Sequence, residues 1–286
     1  MQWRQWTLRE FDVTAPSVFK PLRWLVLMVA SLGMPSGVWA ADALPSLIER
    51  FRSSVLPVGF FVETNSPRFG FRGSGFVVGD GNLLITNAHV IERSASTTPD
   101  GSLVVASRQA DGQLAMRRAE LVEVDKAHDL ALLRFEGSPL PILPLLTTIP
   151  TIPPVAAPAA AREGQRVAFI GFPLGGALGF SPVTHRGSIS SIAAIALPSP
   201  TARQLDDRSI NRIREGSFEL LQLDATAYPG NSGGPLFDAD TGDLLGVVNM
   251  VALKGTRESA LTNPSGIAYA IPASFVLRLV AQHGRK

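Results

Sequence analysis

Three features of the sequence predict an all-β fold. Glycine and proline are plentiful, 26 and 22 of 286 residues, while long helical periodicities are few. Short apolar runs recur between turn residues along most of the chain. These runs form two groups, separated by a proline-rich stretch at 137–164. An apolar share of 45% is enough for one large or two small cores and excludes a wholly disordered chain.

Residues 1–40 stand apart from that fold. Arg4, Arg9, Lys20 and Arg23 precede the apolar run WLVLMVASLGM and the small residues Val38 and Ala40. The pattern reads as a secretory signal cleaved after Ala40, with the mature protein periplasmic or secreted and not held at a membrane. An uncleaved anchor is the alternative. The run is shorter than the roughly 20 apolar residues of a span, and Pro35 interrupts the stretch beyond it. The whole chain holds 26 basic and 24 acidic residues, but four basic and two acidic ones lie in 1–40. The remainder is formally neutral and has no basic stripe with interleaved aromatics, so nucleic acid is not an expected partner. The chain contains no cysteine, which excludes disulfides, thiolate metal sites and a cysteine nucleophile.

The first β unit is expected within 41–136. A short amphipathic stretch, LPSLIERF, runs into a strand at VLPVGFF. Gly75–Val78 and Leu83–Thr86 flank the turn GDGN and read as a hairpin. SLVVASR, AMRRAELVEVD and LALLRF come next as strands. Proline recurs too often in 137–164 for a helix or a central strand, so this segment reads as a connector. The second unit, 165–286, holds strands at QRVAFIGFP, PVTHRGSISSIA, FELLQLDA, GDLLGVVNMVAL and SGIAYAIP, with a long polar loop at 199–217. Pro272 starts a terminal helix with Phe275, Val276, Leu279 and Val280 on one face.

Chemistry concentrates in three places. His89 follows a strand in TNAHV, Asp129 precedes one in HDLALL, and Ser232 lies among glycines in YPGNSGGPL. A serine hydroxyl is a weak nucleophile at its own pKa and needs a base in reach. That base in turn needs a carboxylate to hold its tautomer. The other histidines carry no such pattern: His128 is expected on the surface, and His185 and His283 as structural or surface residues. No His/Asp/Glu spacing suggests a metal site, and no glycine loop precedes a helix as a phosphate cradle requires, so no cofactor is expected.

Together the three boxes resemble the trypsin-like serine proteases, in particular the bacterial HtrA/Deg branch. GSGFVV, GQRVAFIGFP, RGSISSI, LQLDATAYPGNSGGPLFD and GIAYAIP extend the likeness, in the family's order, over roughly residues 45–280. The resemblance implies two six-stranded antiparallel barrels with the site between them. It implies an exported endopeptidase of unfolded or damaged polypeptides, with a His89–Asp129–Ser232 triad and an acyl-enzyme. The backbone N–H groups of Gly230 and Ser232 would form its oxyanion hole. Thr226, Ala227, Asn249, Val251 and Gly266 would line the substrate pocket. The family's C-terminal PDZ domain is not expected, since 272–286 is far shorter than the roughly 50 residues of a small domain. The family's mode of assembly therefore does not carry over. Two alternatives stand beside this reading. One is a non-catalytic binding or scaffold protein on the same fold. The other is an α/β-hydrolase esterase using GNSGG as a nucleophile elbow, which would want a helix after Ser232 and a histidine such as His283.

Overall fold

The computed structural model describes residues 43–92, 101–109, 111–145, 161–195, 218–249 and 266–283. The expected signal segment, the core of the connector, the loop 199–217 and Val251 lie outside them.

Two barrels account for almost all of the described chain. The first contains β1 (Val55–Phe61), β2 (Phe69–Val78), β3 (Leu83–Thr86), β4 (Ser102–Arg108), β5 (Leu114–Asp125) and β6 (Leu130–Phe135). The second contains β7 (Arg166–Gly171), β8 (Val183–Ile195), β9 (Phe218–Asp224), β10 (Pro235–Asp238), β11 (Leu244–Asn249) and β12 (Ile267–Pro272). Each closes antiparallel, in the order β1-β2-β3-β6-β5-β4 and β7-β8-β9-β12-β11-β10. The two orders are the same pattern repeated. Closure leaves neither sheet with an open edge. No parallel sheet exists among the described residues, so an α/β-hydrolase has no place here.

Alternation in the strands explains the two cores. Leu56, Val58, Val77, Leu84, Val105 and Leu133 point into the first barrel, and Val167, Phe169, Ile189, Leu221, Leu223 and Val248 into the second. A third apolar layer joins the barrels. It is supplied by the opposite faces of some of the same strands and by two helices, α1 (Leu44–Phe51) and α3 (Ala273–His283). Pro45 in the first turn of α1 costs nothing, because the amide it lacks would have no helical partner. Phe51 of α1 meets Phe237 of β10 edge-on at 5.2 Å. The buried residues of α3 are Ala273, Val276 and Leu279.

β10 is a strand that the sequence reading passes over. Its four residues, PLFD, open with a proline directly after the glycine cluster and so read as part of that turn. His128 is not the surface residue expected. Its ring lies 3.8 Å from Phe275 and 4.7 Å from Phe218, and Nδ1 meets Asp125 Oδ2 at 2.6 Å. Phe218 and Phe275, distant in sequence, cover the ring, and Asp125, three residues before it, holds Nδ1.

Candidate active site

β3 and β6 are neighbours in register, with Thr86 opposite Ala131. The chain leaving β3 and the chain entering β6 therefore meet at one end of the first barrel. A single turn, α2 (Ala88–Ile91), carries His89 there, and Asp129 closes the turn before β6. Asp129 sits at φ 51, a left-handed conformation that Asp tolerates better than most residues. Its carbonyl accepts from the Ala88 amide at 3.1 Å and from Asn87 Nδ2 at 3.0 Å.

With its backbone so held, the Asp129 carboxylate faces His89 squarely. Oδ1 accepts from the His89 amide at 2.9 Å, and Oδ2 lies 2.6 Å from His89 Nδ1. An ionised carboxylate can only accept, so Nδ1 is the protonated nitrogen of the ring and Nε2 is left as the basic one. Asn249, the last residue of β11, donates from Nδ2 to Asp129 Oδ2 at 2.9 Å. The sequence places Asn249 on the pocket wall; its side chain, 0% exposed, reaches this carboxylate.

Ser232 comes from the loop between β9 and β10. Tyr228–Pro229–Gly230–Asn231 is a β-turn closed by Asn231 N–H to Tyr228 O at 3.0 Å. Pro229 cannot take positive φ, and Gly230 has φ +104, which makes this a type II turn. The turn's own bond uses the amide of Asn231, not that of Gly230. Gly233, at φ +87, is packed so closely that a Cβ there would lie 2.0 Å from the Ser74 carbonyl oxygen. Only glycine fits.

Ser74 of β2, wholly buried, grips this loop across the barrel junction. Its amide donates to Ser232 O at 2.8 Å, and its Oγ donates to Gly230 O at 2.6 Å while accepting from the Phe172 amide at 3.0 Å. Thr86 Oγ1 donates to the carbonyl of Ser74 at 2.7 Å, tying the grip to β3. A Cβ on Gly73 would meet Val90, the neighbour of His89, at 2.7 Å and Ser232 O at 2.9 Å. On the other side the Gly233 amide donates to Val248 O at 2.9 Å, one residue before Asn249. His89, Asp129 and the Ser232 loop therefore gather at one junction between the barrels. Ser232 itself is 5% exposed.

Thr226 is half-buried and Ala227 buried; Gly266, with open space where a Cβ would be, accepts from the Ala225 amide at 3.0 Å. Gly266 thus lies beside the segment that leads into the serine turn, and Val251 falls outside the described residues. His283 ends α3. No group of three or more His, Asp or Glu side chains that could hold a metal occurs among the described residues. No helix among them is long and apolar enough to cross a membrane.

Residues 73–247, more than half of the chain, match the trypsin-like peptidase domain family. The chain belongs to that family. Its relatives are of the HtrA type. It is 28% identical over 258 residues to a protein of Halomonas elongata named probable periplasmic serine endoprotease DegP-like, covering 89% of this chain and 44% of that protein. To human serine protease HTRA3 it is 26% identical, over 92% of this chain and 50% of the relative. A crystal structure of the serine endoprotease from Yersinia pestis superposes with a TM-score of 0.55 at 25% identity, covering 85% of this chain and 67% of that one. The chain thus spans about half the length of the relatives it matches.

Ser74, Asn87 and Asn231 are members of this trypsin-like site that motif reading leaves without a role, and Asn249 is one whose side-chain partner it does not give. Three of the four stand inside quoted motifs, GSGFVV, TNAHV and PGNSGG, so the signal was present. Only the fold shows what each side chain reaches.

Proposed function

We propose that this protein is an exported serine endopeptidase that cleaves unfolded or damaged polypeptides. In this reading His89 Nε2 takes the proton from Ser232 Oγ as the hydroxyl attacks the scissile carbonyl. It then returns that proton to the leaving amine, and an acyl-enzyme remains for water to hydrolyse. Asp129 keeps its charge throughout, fixing the ring and stabilising the imidazolium while it exists. The amides of Gly230 and Ser232 receive the oxyanion.

The observation that supports this reading best is the two-point hold of Asp129 on His89, at 2.9 Å to the amide and 2.6 Å to Nδ1. A histidine kept only for packing has no need of its tautomer being set. A scaffold protein on this fold would be expected to lose this hold or to block the Gly230 turn, and Gly230 stays at φ +104. The export of the chain is supported by the basic-apolar-small pattern of residues 1–40 and by the periplasmic DegP-like relative. Incubating the purified protein with unfolded casein tests the reading, with Ser232→Ala as control. Cleavage lost in the variant supports it; equal cleavage by both proteins, or none by the wild type, contradicts it.

A further inference from the structure

His185 is the one histidine among the described residues whose ring is turned towards the serine loop without belonging to a motif. It lies on β8 opposite Phe169 of β7 and stacks on that ring, with centroids 4.7 Å apart and planes 17° from parallel. Tyr228, first residue of the serine turn, is 5.9 Å away on another side. Its Nε2 stands 3.2 Å from Nδ2 of Asn231, the residue between Gly230 and Ser232. An amide nitrogen has no lone pair to offer, so Asn231 donates and His185 accepts. Asn231 is wholly buried, and its Oδ1 has no partner among the described residues. The bond to His185 is thus the side-chain anchor that fixes the orientation of the Asn231 amide.

We propose that His185 is a positioning residue of the reaction, acting through Asn231 to hold the two oxyanion-binding amides on either side of it. This rests on the triad reading above. The geometry gives the reason. Glycine's dihedrals are little restricted, so the peptides of this turn depend on the bonds made to them: Leu174 N–H donates to Pro229 O at 2.9 Å and Gly234 N–H to Asn231 O at 3.0 Å. Ser74 fixes the carbonyls of Gly230 and Ser232 from the first barrel. His185 fixes the side chain between them from the second.

The acceptor role requires a neutral ring. Burial holds the His185 imidazole below its ordinary value, so the acceptor form prevails at neutral pH. Protonation would place an N–H against the amide N–H of Asn231 and remove the bond. The titratable and charged groups on the packed elements are few. They are Tyr228 on the loop, Arg186 next along β8, Arg166 of β7 and Asp224 of β9 opposite Ser188, and Glu219 opposite Ala194. Arg186 is exposed, as alternation along the strand demands.

Two variants test this. His185→Phe keeps the stacking on Phe169 and removes the acceptor, whereas His185→Gln offers an acceptor that does not titrate. Removing one oxyanion donor outright costs about 10²–10³ in kcat. Misplacing the turn should cost about 10–100-fold in His185→Phe, with KM little changed. His185→Gln should recover most of kcat at neutral pH. Its acid limb should fall with one proton, while that of the wild type falls with two. Wild-type kcat in a folded His185→Phe overturns the proposal, as does a two-proton limb in His185→Gln. The second test stands even if His185→Phe fails to fold. Failure of the triad reading looks different: a fluorophosphonate would then leave wild-type Ser232 unlabelled, whatever stands at 185.

Discussion

Asn249 of the second barrel donates to Asp129 of the first, from Nδ2 to Oδ2 at 2.9 Å, and the oxygen it reaches is the one that also holds His89 Nδ1. The carboxylate is thus oriented from both barrels at once. Removing this donor should loosen the aspartate without emptying the site. A hydrogen bond to a charged group contributes about 1.5–3 kcal/mol. Asn249→Ala should therefore lower kcat/KM by about 10–100-fold, at roughly 1.4 kcal/mol per tenfold. Steady-state kinetics on a peptide substrate would show it, and wild-type kinetics would mean that Asp129 needs no second donor.

Gly233→Ala should be more damaging than its one added methyl suggests. The Cβ would stand 2.0 Å from a backbone oxygen of Ser74, in a backbone conformation at φ +87. Strain of this kind costs about 1–3 kcal/mol before any clash is counted. The serine loop must shift away from β2 to accept it. A lower melting temperature and loss of peptide cleavage together are the expected result. A variant that melts and cleaves like wild type would show that Ser74 does not confine the loop.

The three boxes are legible in the sequence because each keeps its chemistry within a few consecutive residues: His89, Asp129 and Ser232 can be named as candidates from TNAHV, HDLALL and PGNSGG. The barrels are legible for a similar reason, since most strands are apolar-rich runs of six or more residues between turn residues. β10 is not, because PLFD opens with a proline directly behind the glycine cluster and reads as part of that turn. Nor are the supports of the site. Ser74 acts on residues about 156 positions away, and Asn249 on a residue 120 positions away, through folding that no local spacing records. The sequence names Asn249 for the pocket wall without giving its side chain a partner, because strand position alone does not say which way a polar side chain at the strand's end will turn.

Cleavage specificity should follow from Thr226, Ala227 and Gly266. None carries a charge, and a buried lysine or arginine without a carboxylate partner is costly. Cleavage is therefore expected after small or medium aliphatic residues such as Val, Ala, Ile or Leu. One methylene discriminates by only about 1–3 kcal/mol in an apolar pocket, so the preference should be broad. A peptide-library profile dominated by Arg or Lys before the cut would contradict the assignment.

Acid stability should depend on Asp238, which ends β10. Burial alone would raise its pKa. Hydrogen bonds from Gln165 at 2.6 Å and from the Thr241 and Asp240 amides, both at 2.8 Å, outweigh this and hold it below the ordinary carboxylate value. A depressed folded value means that the stabilisation is complete above the unfolded value of about 3.9 and is lost as pH falls through the folded one. Asp238→Ala should cost about 1–3 kcal/mol at neutral pH. It should also flatten the decline in melting temperature at low pH. An acid limb as steep as that of the wild type would place the sensitive carboxylate elsewhere.

The central claim is that Ser232 is a nucleophile activated by His89. Reaction with a fluorophosphonate, followed by peptide mapping of the modified residue, tests it most directly. The predicted result is stoichiometric modification at Ser232, nearly abolished in His89→Ala, with the double variant of His89 and Ser232 losing little more proteolysis than either single one. An unmodified Ser232 in folded wild-type protein, or modification at an undiminished rate in His89→Ala, would contradict it.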